Sequence, residues 1–172
     1  MIKNVSNWVK FCTDQIHIKK KNKTALDLAC GKGRHSIFLS KLGYTVIALD
    51  INMDNLNNFK EKNILKLCCD IENFIEWPFT KNSFDLVVVT NFLNRRIFNN
   101  IKKVIKINGY LVYETFGIGH ENFGKPKNKD YLLRKNELVN LTKSFQLIIY
   151  EEIKVLAGNT KFIKHRIVCK NV

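Results

Sequence analysis

The sequence predicts an α/β fold: a doubly wound, seven-stranded sheet, mostly parallel, that closes with a C-terminal antiparallel hairpin. Three observations lead there. Apolar runs of strand length at residues 24–29, 44–49, 64–68, 84–90 and 110–116 are separated by segments long enough for crossovers, the pattern of a buried parallel sheet. The first run breaks into Asp27-Leu28-Ala29-Cys30-Gly31-Lys32-Gly33-Arg34-His35, which reads as strand, glycine turn and helix start in succession. Two last runs, 145–156 and 161–169, are joined only by Ala157-Gly158-Asn159 and pair as a hairpin.

The elements follow in order. Residues 5–15 carry apolar side chains at helical spacing and predict a helix laid over the sheet, followed by a lysine-rich connector. Strand 24–29 leads into a helix over 34–42 that stops at Gly43, a fitting C-cap. After strand 44–49 comes a helix over 53–62, weakened by its asparagines. Beyond strand 64–68, residues 71–83 are irregular, with Trp77-Pro78 fixing an extended bend. Strand 84–90, a helix over 95–107, the turn Asn108-Gly109 and strand 110–116 complete the alternation. Residues 117–129 break all periodicity with Gly117, Gly119, Gly124 and Pro126, so a loop over about 117–133 is the expected substrate lid. A helix over 135–144 precedes the hairpin.

The glycine turn has a mechanical reading. Gly31 and Gly33 let the backbone bend sharply and approach a ligand, and Arg34 opens a helix whose free amides face the cleft. The next strand delivers Asp50 at its carboxyl end, roughly 20 residues beyond the glycines, where an acid accepts ribose hydroxyls. Two departures argue against a dinucleotide: Ser36 replaces the third glycine, and Asp27 at the first strand tip would repel a pyrophosphate. Both suit S-adenosyl-L-methionine, which has no phosphate, an ammonium for an acid and a carboxylate for a helix N-terminus.

These residues resemble the class I S-adenosylmethionine-dependent methyltransferases. Asp27 through Gly33 is similar to that family's first motif, with Ala29 where many members have glycine. Cys69-Asp70-Ile71 resembles the third and Phe84 through Asn91 the fourth. The resemblance implies a Rossmann-like sheet to which the hairpin has been added. It implies cofactor contacts from Asp27, Ala29, Cys30, Gly31, Gly33, Arg34 and His35, the ribose on Asp50 beside Ile51, the adenine amine on Asp70 with Ile71 against the ring, and Asn91 beneath the cofactor. Trp8-Val9, Trp77-Pro78, Asn91-Phe92-Leu93 with Arg95, Tyr113-Glu114-Thr115-Phe116, and Phe123-Gly124-Lys125-Pro126 through Leu132-Leu133 resemble a small bacterial branch close to the tellurite-resistance type.

Length and composition bound the function. The 172 residues suit a single domain spanning 1–172, so specificity is expected from loops. The 29 Lys and Arg against 15 Asp and Glu give a net charge of +14, which invites phosphate. The lysines are nevertheless dispersed, accompany an Asn- and Ile-rich composition and lack a stacking platform, so nucleic acid is not the favoured partner. No run approaches a membrane span and no signal-peptide core opens the chain, so a cytoplasmic location is expected. Cys12, Cys30, Cys68, Cys69 and Cys169 and the scattered His17, His35, His120 and His165 show no metal-ligand spacing; reduced thiols and no metal are expected.

The chemistry implied is in-line displacement at a sulfonium methyl, releasing S-adenosyl-L-homocysteine, in which the enzyme aligns and desolvates the acceptor. Candidate residues are few. Asn91 either presents its backbone or amide near the methyl group or ends a strand; Arg95 either holds an acidic acceptor or pairs with Glu114 or a surface acid. Glu114, a carboxylate in an apolar strand, is either a general base or the partner of Arg95. His120 and Tyr131 either face the acceptor from the lid or are plain loop residues. The sequence lacks the Asn/Asp-Pro-Pro-aromatic run of amino-directed nucleobase enzymes and the Pro-Cys pair of cytosine-attacking ones. The expected function is methyl transfer to a small molecule; the alternatives are an RNA methyltransferase and a non-catalytic cofactor-binding subunit.

Overall fold

A computed structural model of the chain describes residues 4–16, 18, 20–73, 76–157 and 160–172. His17 and the turn residues Gly158 and Asn159 lie outside the described residues. Seven strands form one sheet: β1 (Lys23–Leu28), β2 (Tyr44–Asp50), β3 (Ile64–Cys68), β4 (Phe84–Thr90), β5 (Ile105–Phe116), β6 (Gln146–Ala157) and β7 (Thr160–Lys170). Their order is β3-β2-β1-β4-β5-β7-β6. The strands from β3 to β5 pair in parallel, and β7 runs antiparallel to both β5 and β6. The expected sheet is therefore the observed one.

Helices α1 (Asn7–Gln15), α2 (Arg34–Lys41) and α3 (Met53–Asn57) cover one face, and α4 (Phe98–Lys103) and α5 (Glu137–Leu141) cover the other. Alternation along the strands explains why there are two cores. Val46, Leu86, Val88, Val112 and Val168 pack with Trp8, Val9, Leu39 and Leu56, whereas Leu26, Leu28, Val87, Val89, Leu111 and Tyr113 pack with Phe98, Ile101 and Leu138. Burial at roughly 25 cal/mol per Å² makes these two layers the main source of stability. At the edge away from the strand tips, Asp85 binds Lys20 at 2.8 Å and Lys106 at 2.9 Å, and it accepts from the Thr24 amide at 2.9 Å.

Several helices are shorter than their sequence patterns. The helix expected over 95–107 spans only Phe98–Lys103, because the β-branched Ile105, fully buried, joins the sheet opposite Phe84. The turn expected at Asn108-Gly109 is instead an irregularity inside β5, where the register with β4 jumps and Asn108 takes a φ of 64°. The helix expected over 53–62 ends at Asn57, as its weak helix formers predict, and the one expected over 135–144 is Glu137–Leu141.

Candidate active site

The strand order reverses between β1 and β4, so helices leave these neighbouring tips on opposite faces and a cleft opens above them. The turn after β1 builds its floor. Ala29, Gly31 and Gly33 take φ of 54°, 56° and 71°, three left-handed residues within five. The two glycines are required for different reasons. A Cβ on Gly33 would lie 2.3 Å from the Phe59 ring, a packing constraint, whereas a Cβ on Gly31 would meet no protein atom within 4 Å and would project into open space. Gly33 is the N-cap of α2 and offers no side chain to its first amides, which are left as an anion site at the cleft.

Asp27, at the tip of β1, is 1% exposed. Its Oδ2 accepts from Ser36 Oγ at 2.6 Å, while its Oδ1 is buried without a hydrogen-bond donor. Ser36, which replaces the expected third glycine, therefore has a role of its own: it anchors the acid. Burial raises the Asp27 carboxyl from 3.8 to about 7, against the opposing bonds from Ser36 and the charge of Arg34. An orphaned carboxylate oxygen that resists ionisation is suited to receive a cation such as an ammonium.

Asp50, at the tip of β2, closes the opposite side. Oδ2 accepts from the Gly31 amide at 2.7 Å, and Oδ1 accepts from the Asn52 amide at 2.9 Å and Asn55 Nδ2 at 3.2 Å. The acid thus fixes the glycine turn and the start of α3 together. Ile51 beside it is 64% exposed, an apolar lip that a packing surface would cover. Asp70 caps its own turn through the amides of Glu72 at 2.9 Å and Asn73 at 3.2 Å, and Ile71 is buried in the core beneath. Cys30 is buried and its amide bonds Leu49 O at 2.8 Å, tying the β1 turn to β2.

The other candidates separate into two groups. Asn91 has a φ of 57°, its amide donates to Glu114 O at 2.8 Å, and its side chain lines a recess of about 260 Å³ with Phe92, Thr115, Phe116, Pro126 and Tyr131. Glu114 is buried, yet it does not meet Arg95. Its Oε1 accepts from Ser6 Oγ at 2.9 Å and its Oε2 lies 3.7 Å from Arg166 Nη1. Arg95 instead binds Glu137 through Nε at 2.5 Å and Nη2 at 2.9 Å, and also donates to the carbonyls of Asp130 and Leu132. This corrects the expected Arg95–Glu114 pair: Arg95 precedes α4 on the face opposite Glu114 and staples the returning limb of segment 117–133.

His120 is 1% exposed, stacks on Phe116 with ring centroids 4.2 Å apart, and engages Lys125 O through Nε2 at 2.9 Å and the Ile163 amide through Nδ1 at 3.4 Å. Both ring nitrogens are occupied. His35 accepts from the Ser6 amide at 3.2 Å and contacts Thr90 Oγ1 at 3.3 Å; burial, aided by Arg34, lowers its pKa to about 3 and keeps it neutral. Arg34 itself donates to Asn4 O at 3.1 Å. Residues 4–8 therefore lie across the tips of β1, β4 and β5. Ser6, Lys164 and Arg166 were not identified from sequence, because strand pairing between β5 and β7 brings the two cations to the site.

A glycine-turn floor, two strand-tip acids and a free helix terminus form the candidate cofactor cleft. Comparisons with known proteins give the family. Residues 26–113 match the family model described as "Methyltransferase domain". The Haemophilus influenzae protein named "Probable S-adenosyl-L-methionine-dependent methyltransferase TehB" is 31% identical over 137 residues, covering 74% of this chain and 47% of that protein. The crystal structure of TehB from Haemophilus influenzae superposes with a TM-score of 0.77 at 24% identity, covering 98% of this chain and 63% of that one. A methyltransferase from Methanosarcina mazei gives 0.74 at 16% identity, covering 99% of both chains, a likeness of fold. The chain spans about half the length of the curated relatives it matches. The chain belongs to the methyltransferase-domain family.

Proposed function

We propose that this chain is one methyltransferase domain that transfers the methyl group of S-adenosyl-L-methionine to a small-molecule acceptor seated in the recess beside Asn91. The observation that carries this reading is the recess itself, about 260 Å³ beside Asn91 and walled by Phe92, Phe116, Pro126 and Tyr131, which has room for a small acceptor. Segment 117–133 supplies Pro126 and Tyr131 to that wall and serves as the lid. No helix among the described residues is long and apolar enough to cross a membrane.

When bound, S-adenosyl-L-methionine supplies an activated sulfonium methyl. The chain's own residues do the rest by placement. Asp27 and the free amides of α2 hold the two charges of the methionine end, and Asp50 takes the ribose hydroxyls with the remaining site on Oδ2 and the Oδ1 site that Asn55 Nδ2 holds at 3.2 Å. Ile51 packs on the nucleoside, and Asp70 receives the adenine amine. Asn91 forms the boundary between cofactor and acceptor. Glu114 holds residues 4–8 over the cleft through Ser6, with Arg166 Nη1 3.7 Å from its other oxygen. Arg95 and His120 brace the lid through the contacts described above.

Incubation with methyl-labelled S-adenosyl-L-methionine and fractionated cell extract tests the reading. Label in small metabolites supports it. Label in RNA, or no transfer to any fraction, refutes it in favour of an RNA methyltransferase or a cofactor-binding subunit.

A further inference from the structure

Lys164 stood among dispersed surface lysines in the sequence, yet on β7 it is 8% exposed. It pairs in register with Phe116 across β5, so strand alternation turns it toward the cleft beside Arg166, which lies opposite Glu114. Its ammonium donates to Asn91 Oδ1 and lies 3.6 Å from the centroid of the Phe116 ring. Both contacts are walls of the acceptor recess. The charged groups facing it are Glu114 on β5, Arg34 at the start of α2, and Arg166 on its own strand.

We propose that Lys164 is a positioning residue: while protonated, its bond to Oδ1 fixes the Asn91 carboxamide so that the Nδ2 amino group remains the free donor at the recess wall. The argument is one of hydrogen-bond complementarity. A carboxamide has distinct ends, and an ammonium, which only donates, can bond only to the oxygen. A neutral amine can accept as well, so discharge removes the bias and lets the carboxamide turn over. Burial, with Arg34 and Arg166 adding to it against the opposing pull of Glu114, lowers the Lys164 pKa from 10.5 to about 8, so the change falls within an accessible pH range. The proposal rests on the acceptor reading for its purpose but not for its test.

The test has a structural arm and a kinetic arm. In the first, the Asn91 side-chain amide signals, assigned by their loss in Asn91→Ala, are followed by NMR from pH 6 to about 10. They should move with a midpoint near 8 in the parent protein and stay still in Lys164→Met and Lys164→Arg. Signals that are flat in the parent, or that titrate equally in Lys164→Met, overturn the proposal. In the second arm, all three proteins should bind S-adenosyl-L-homocysteine within about twofold of one another. Methyl transfer into the small-metabolite fraction should fall about tenfold in Lys164→Met at pH 7 and be restored in Lys164→Arg, as expected for loss of one charged hydrogen bond. At saturating S-adenosyl-L-methionine the parent rate should decline more steeply above pH 8 than that of Lys164→Arg, the difference isolating Lys164 from the cofactor's own amine. A titrating amide without methyl transfer would support the contact and refute the acceptor reading. Transfer that is insensitive to Lys164→Met would overturn the positioning role.

Discussion

If Asp27 receives the cofactor's ammonium, binding must be linked to the ionisation of that carboxyl. In the free protein, burial raises it to about 7. A bound cation would restore it to its ordinary range near 3.8 or below. Only the ionised form then binds well, so the observed affinity follows the ionised fraction: about one half at pH 7 and about one hundredth at pH 5. The association constant for S-adenosyl-L-homocysteine should drop about fiftyfold between these values, roughly 2 kcal/mol. Calorimetric titrations in buffers of different ionisation enthalpy should show about half a proton released per ligand at pH 7. The window stops there because the ligand's own amine discharges near 8. In Asp27→Asn the slope should vanish and affinity at pH 7 should fall at least about tenfold. The free-state sign is opposite: stability linked to this raised pKa is present below 3.8 and lost as pH rises through about 7, so Asp27→Asn should stabilise the free protein at pH 8 by up to about 4 kcal/mol. Affinity that is flat from pH 5 to 7, or an Asn variant with the parent's slope, would refute the linkage.

The two glycines should fail differently. Gly33→Ala, forced against Phe59, should cost more than about 2 kcal/mol in denaturant unfolding, whereas Gly31→Ala should lose about 1–2 kcal/mol to backbone strain and chiefly weaken cofactor binding by filling the open space before it. Ala29→Gly relieves a φ of 54° and should raise stability by about 1 kcal/mol in the same measurement. His35 is held neutral, with its pKa lowered from 6.5 to about 3, so its contribution is present above 6.5 and is lost as pH falls toward 3. Because Asp27 has the opposite sign in an overlapping window, the His35 effect should be read as a difference. The gap between the melting temperature of the parent and that of His35→Gln should narrow as pH falls from 7 to 5.

Local chemistry made much of this legible in the sequence. The glycine turn, the apolar strands and Asp50 at a strand tip each depend on near neighbours, and the resulting sheet is the expected doubly wound one, mostly parallel with an antiparallel last pair. Helix lengths differ where an apolar run serves both periods, as at Val104-Ile105, where the helix ends at its cap Val104 and the sheet takes Ile105. Side-chain partners across the fold were not legible. Ser6 is 108 residues from Glu114, and Lys164 is 73 residues from Asn91. Their pairing depends on how α1 crosses the sheet and on the β5–β7 register, neither of which leaves a local mark. Arg95 illustrates the same limit: its charge was readable, but its bidentate partner, Glu137, lies 42 residues away.

A crystal structure with S-adenosyl-L-homocysteine would examine the cleft itself. The account predicts ribose hydroxyls on Asp50, the amino group on the orphaned Oδ1 of Asp27, and the carboxylate at the amides that open α2. A ligand lying elsewhere, or with its amino-acid end turned away from Asp27, would contradict it.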